Sequence, residues 1–225
     1  MQVAADLLYR FEAGLNPQDL ESSPISATIL GYGEISTIFQ IGDNATTAFK
    51  RMPLFANRHS AEVYTDKYRQ YCQHLVTAGL NLPADQTVVV EAPNHPVVLY
   101  IGQRQIPPEC FAHHLIHHLQ SAEIADLFKD IVAAIAKIWR FNTTAQPGLE
   151  IAIDGQLSNW AVIEGSGAAT LYYVDTSTPL YRIDGVEQLD PELMLKSAPG
   201  FLRWIIRWLF LADVMNRYYD PRQVY

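Results

Sequence analysis

The stretch IDGQLSNWAVI (Ile153–Ile163) sets an Asp and an Asn five positions apart, directly ahead of an apolar run. Asp-Gly favours a turn, because Gly tolerates positive φ and Asp bonds its own backbone. Alone, the segment is a hairpin turn with Asn159 capping its far end. A second apolar run, ATLYYV (Ala169–Val174), follows it and ends in Asp175. A carboxylate at the end of a buried strand is a common metal-ligand position, since the strand fixes it and the loop admits substrate. The Thr and Ser that follow Asp175 equally suit a plain turn. Whether Asp154, Asn159 and Asp175 belong together therefore decides how the whole chain is read.

The chain allows a core of useful size. Of its 225 residues, 49% are hydrophobic and 18% charged, which is ordinary for a globular protein. The net charge of −8, from 16 basic and 24 acidic side chains, offers no overall basic face and speaks against nucleic acid as a partner. Cys72 and Cys110 are the only cysteines, so no disulfide framework is expected. The start, MQVAADLLYRFEAG, lacks the basic n-region and apolar core of a secretory signal. The most apolar segment, FLRWIIRWLFLADVM (Phe201–Met215), is too short to span a bilayer, is interrupted by Arg203, Arg207 and Asp213, and is expected to be a core helix. A reducing cytoplasm fits these features.

Working outward, a short amphipathic helix is expected in the first twenty residues. Ser26–Met52 reads as strands joined by the Gly-rich turn GYGEIS (Gly31–Ser36) and the hairpin signal GDNA. Asn57–Leu80 carries a helical pattern, with Val63, Tyr64, Tyr68, Tyr71, Cys72 and Leu75 on its apolar side and Gly79 ending it. TVVVEAP and PVVLYIGQ supply two further strands. Past GQRQIPPEC the chain turns mainly helical: Cys110–Leu119, then Ala122–Phe141 with Ile124, Leu127, Phe128, Ile131, Ile135 and Ile138 on its apolar side. The expected architecture is α+β in two lobes: 1–102, β-rich with one helix, and 103–225, mainly helical.

Several residues carry chemistry in this order. Gly31 and Gly33 would let backbone N–H groups approach a phosphate, although Gly-x-Gly is also common in tight hairpins. Lys50 lies in the apolar strand TTAFKRM, where a buried ammonium needs an anion unless it faces solvent from an edge. Glu62 in the next helix is placed to partner it, with Asp66 one turn on as a rival. FAHHLIHHL pairs His113 with His117 and His114 with His118 at i, i+4, but no further ligands complete a zinc set, and a half-exposed helix is expected.

The succession of Gly-rich turn, strand Lys, helix Glu, connector, Asp-x-x-x-x-Asn and strand-end Asp resembles the protein-kinase-like superfamily. It is most similar to the aminoglycoside and choline phosphotransferase branch, over about Ser26–Pro179. That resemblance implies a two-lobe kinase-like fold and ATP–Mg²⁺-dependent transfer to a hydroxyl of a small molecule. It implies that Gly31, Gly33, Ser36 and Lys50, with Glu62 positioning Lys50, bind the nucleotide. LYIGQRQIPPE (Leu99–Glu109) looks like the hinge, which puts Tyr100 and Gln103 beside the nucleotide. Asn159 and Asp175 would hold Mg²⁺, and Asp154 would orient the acceptor hydroxyl and take its proton.

The sequence also departs from that pattern. Ala152 and Ile153 precede Asp154 where a His-Gly or His-Arg pair is usual. Ser36 replaces a third glycine, TST follows Asp175, and no activation segment is marked. The lobe after Asp175 is short, which suits either a minimal lobe or a piece of a longer protein. The altered entry to Asp154 supports an alternative, a pseudokinase that binds nucleotide and engages a protein partner without transfer. A third possibility keeps the fold but transfers a nucleotidyl group.

Overall fold

The computed structural model describes residues 5–33, 36–144, 146–165, 167–190 and 211–224. The chain divides into two compact units. The first holds residues 5–66 and 84–105, the second 67–83, 106–190 and 211–224. The boundary expected after residue 102 falls inside a strand, and the division comes after Gln105 instead.

The first unit is a five-stranded antiparallel sheet in the order β1-β2-β3-β5-β4. Its strands are β1 (Ala27–Tyr32), β2 (Thr37–Ile41), β3 (Thr47–Phe55), β4 (Asp85–Val90) and β5 (Val97–Arg104). Helix α1 (Ala5–Gly14) places Leu8 and Phe11 in one cluster with Phe39, Ile41, Phe49, Val90, Val98 and Tyr100. Period-two alternation along a strand puts these sheet residues on a single face. Cross-strand pairs Phe39↔Phe49, Arg51↔Tyr100 and Val90↔Val98 line up on it. The opposite face carries Lys50, paired with Ile38 on one side and Ile101 on the other. Where β3 loses register against β5, between Met52 and Phe55, Pro53 has no N–H to give the ladder.

The second unit holds a three-stranded sheet, β10-β9-β6, and a two-stranded hairpin, β7-β8. Their ranges are β6 (Leu149–Ile151), β7 (Trp160–Ile163), β8 (Thr170–Tyr173), β9 (Tyr181–Ile183) and β10 (Val186–Glu187). Helix α2 (Arg58–Thr77) contributes residues 67–77 to this unit. It is joined by α3 (Ala112–Leu115), α4 (Ser121–Thr144), α5 (Leu211–Tyr218) and α6 (Pro221–Val224). At the start of α4, Glu123 accepts the N–H of Gln120 at 2.8 Å, half of a capping box. Arg182 of β9 is held by Glu187 at 3.2 Å and by Asn216 of α5 at 2.8 Å, and lies 3.9 Å over the ring of Tyr219.

Three helical expectations shift. The buried face of α2 is Ala61, Tyr64, Thr65, Tyr68, Tyr71 and Leu75, so Val63 lies on the exposed side. Along α4 the buried positions are Leu127, Ile131, Ala134, Ile135 and Ile138, and Phe128 is exposed. The histidine segment is a 3₁₀ turn, Pro108–Cys110, and a single α turn, Ala112–Leu115, in place of one helix. Residues 201–210 of the expected Trp-rich helix lie outside the described residues.

Candidate functional site

In the second unit, β6 delivers Ile151, Ala152 and Ile153, all buried, into the half-exposed Asp154. The sheet ladder ends there with Ala152 N–H donating to Leu180 O at 2.9 Å. Buried peptide groups beyond a ladder must find other partners, and side chains supply them. Asn142 of α4 brackets Ile151, accepting its N–H at 2.9 Å and donating to its carbonyl at 2.8 Å. Tyr71 donates to the Ala152 carbonyl at 2.7 Å, and Asp154 N–H donates to the Tyr173 hydroxyl at 3.2 Å. The apolar pair ahead of Asp154 thus packs by its side chains while its backbone is held by others.

Past Asp154 the chain makes an Asx turn, with Gln156 N–H donating to Asp154 Oδ1 at 3.1 Å. A 3₁₀ turn, Leu157–Asn159, follows. Asn159 closes the loop in three ways. Its side-chain nitrogen donates to Asp154 O at 3.2 Å, its N–H donates to Gln156 O at 2.9 Å, and its carbonyl accepts Val174 N–H at 2.9 Å. The last bond fixes the loop against the end of β8, where Asp175 stands. Asp175 Oδ1 accepts from Ser177 Oγ at 3.0 Å. Burial raises the Asp154 carboxyl above the usual carboxylate range; the Gln156 N–H opposes this, the Asp175 charge adds to it, and Asn159 opposes it. Asp154, Asn159 and Asp175 are therefore one constellation.

Asn142→Ala would leave the Ile151 N–H and carbonyl buried without partners, a loss of about 2–6 kcal/mol at about 1–3 kcal/mol per orphaned group. Urea denaturation measures it, and wild-type stability in the variant would refute the bracket.

In the first unit, Gly31 pairs with Ile38 just past an irregularity at Ile29, and a Cβ there would meet open space. Gly33 N–H donates to Ser36 O at 2.9 Å. A Cβ on Gly33 would crowd Ser36 Oγ, which would have to turn away. Ser36 Oγ is buried and has no hydrogen-bond partner among the described residues. Lys50 and Gln103 are both buried, and the pairs Lys50↔Ile101 and Ala48↔Gln103 put them on the same face.

Two expected residues are placed differently. Tyr100 lies on the other face, where its hydroxyl donates to Glu12 at 2.6 Å, so its side chain belongs to the α1 cluster and not beside a nucleotide on the Lys50 face. Glu62 is exposed and pairs with Arg58 at 3.6 Å, one position off the buried face of α2, so it does not serve Lys50.

Sequence reasoning missed Tyr71, Tyr173 and Asn142, whose roles are bonds to backbone atoms. It also missed Glu12. His113 Nδ1 is buried without a partner among the described residues, and burial with the neighbouring His114 and His117 lowers the pKa of its imidazole. No group of three or more His, Cys, Asp or Glu side chains able to hold a metal occurs among the described residues.

These elements define an α+β protein whose sheets are antiparallel and in which no described helix is long and apolar enough to cross a membrane. The chain belongs to DUF6206, a family of unknown function, whose profile matches residues 19–225. Curated proteins yield no match.

Proposed function

We propose that this protein is a kinase-like ATP–Mg²⁺-dependent phosphotransferase acting on a hydroxyl of a small molecule. The observation that carries the reading is the union of Asp154, Asn159 and Asp175 through the backbone and side chain of Asn159. Asn159 commits its amide nitrogen to Asp154 O, which leaves its oxygen for a cation. With Asp175 this makes a hard oxygen set of the kind Mg²⁺ prefers. When bound, that ion would neutralise charge on the transferring phosphoryl group. Asp154 orients the acceptor hydroxyl and takes its proton. Lys50, buried in a central strand, supplies positive charge for nucleotide phosphates, with the Ser36 hydroxyl as a donor and Gly31 and Gly33 keeping the turn free of side chains. Such catalysis is mostly positioning plus charge neutralisation.

Thermal shifts with ATP, Mg²⁺ and both together test the reading. A ligand at a hundred times its Kd stabilises by about 2.7 kcal/mol. A shift is expected with ATP plus Mg²⁺, and the metal-dependent part should vanish in Asp175→Ala. No shift under any condition would sink nucleotide binding altogether.

The exposed Glu62, paired to Arg58, favours a second reading, a pseudokinase in which Lys50 lacks that carboxylate. It predicts a nucleotide shift with no turnover against a panel of hydroxyl compounds.

A further inference from the structure

We infer that Tyr71 and Tyr173 form a two-hydroxyl clamp that positions Asp154, doing through the backbone what Ala152 and Ile153 cannot do with their side chains. The role of Asp154 in this inference rests on the phosphotransfer reading, whereas the clamp stands on geometry.

Two bonds hold the chain on either side of Ile153. A phenol has a single proton to donate, and that of Tyr71 goes to Ala152 O at 2.7 Å. The Tyr173 oxygen in turn accepts from Asp154 N–H at 3.2 Å. The clamp grips the chain at Ala152 through Tyr71 and, two residues on, at Asp154 through Tyr173. It spans the point where β6 has left its ladder and the loop has not yet closed.

Both rings are anchored away from the loop. Tyr173 lies 5.1 Å from Trp160, its cross-strand partner, and Tyr71 stacks on Tyr181 at 6.4 Å. Burial, aided by the charge of Asp175, holds both phenols well above their ordinary range, so they remain neutral donors.

Amide hydrogen exchange at Asp154, followed by NMR, tests the clamp without requiring turnover. Tyr173→Phe keeps the ring and removes the acceptor. It should speed Asp154 exchange at least about tenfold relative to Ala152 N–H, whose bond to Leu180 is untouched. Tyr71→Phe frees the Ala152 carbonyl at the other end of the clamp and should speed the same amide to a smaller extent.

Unchanged exchange at Asp154 in Tyr173→Phe, or equal acceleration at Ala152 and Asp154, would each overturn the inference. Where Tyr173→Phe does not fold, Tyr71→Phe carries the test. With Mg–ATP turnover as a second readout, each variant should lose about 10- to 100-fold in kcat with KM for ATP nearly unchanged, as misplacement of about 1 Å costs on that order. A wild type without turnover would defeat the phosphotransfer reading while the exchange data still decide the clamp.

Discussion

Asp154→Asn is expected to lower transfer by about 10³-fold, within the range a positioned acid or base contributes, and to leave Mg–ATP binding essentially intact. The substitution keeps the loop. An asparagine Oδ1 still accepts Gln156 N–H, the bond that turns the chain at 3.1 Å, and the contacts of Asn159 and Tyr173 with residue 154 use its backbone. What disappears is the proton acceptor. Binding should persist because Asp154 is in neither the proposed metal pair nor the nucleotide set. Stability should hold or rise slightly. Burial already disfavours the charged form of Asp154, and the Asp175 charge adds to that, so an uncharged isostere removes an unfavourable term. Steady-state turnover and the thermal shift, run on the same preparation, check both halves. Equal activity in wild type and variant would remove Asp154 as the base; loss of binding would mean that the residue acts on nucleotide or metal instead.

The loop around Asp154 shows how much a sequence discloses. Ile-Asp-Gly occurs twice, at 153–155 and 183–185. The second copy is the hairpin that the tripeptide suggests: Asp184 and Gly185 have φ of 51° and 76°, and they join β9 to β10. At the first copy neither Asp154 nor Gly155 takes a positive φ. The Asx bond and Asn159 turn the chain there, and it goes on into a 3₁₀ turn. Local composition is the same, and the long-range partners differ. Asn159 and Asp175 stand out in the sequence because their side chains are the signal. Tyr71, Tyr173 and Asn142 do not, because bonds to backbone atoms leave no residue-type pattern. Tyr71 was correctly placed on the buried side of α2, but its hydroxyl partner lies 81 residues further along.

Strand parity explains the misplacement of Tyr100. From Val97 to Gln103 every residue of β5 is buried, so neither face is marked by polarity, and a tyrosine can belong to either. The register settles it, pairing Tyr100 with Arg51 and not with Lys50. Glu62 failed by a single step along α2, where one residue rotates a side chain about 100° around the axis. The β1–β2 turn and the strand lysine stand out by residue type and place: paired glycines between two strands, and a lysine inside an apolar one.

The α1 side of the same sheet supports a large stability prediction: Glu12→Ala should cost about 3–5 kcal/mol, the usual penalty for breaking a buried ion pair by removing one partner. The Glu12 side chain is wholly buried, and that of Arg51 is nearly so. Arg51 grips it with two bonds, Nε to Oε2 at 2.9 Å and Nη2 to Oε1 at 2.5 Å. Tyr100 donates to Oε2 at 2.6 Å, and His95 Nδ1 lies 4.0 Å from Oε1. Truncation leaves a buried guanidinium and a buried phenol with no acceptor. Burial alone lowers the Arg51 pKa, while Glu12 raises it enough to keep the group firmly charged, so the variant retains the desolvation cost and loses its compensation. Charge, not volume, is the issue. Glu12→Leu combined with Arg51→Leu should therefore recover most of the loss, as apolar replacement of a whole buried pair often does. Glu12 lies ahead of the matched residues 19–225, whereas Arg51 and Tyr100 lie within them, so deleting residues 1–14 should destabilise at least as much as Glu12→Ala. Urea denaturation of the two variants and the deletion separates the cases. A loss under about 1 kcal/mol in Glu12→Ala, the range of solvent-exposed pairs, would mean that water screens the pair and that α1 is held by Leu8 and Phe11 alone.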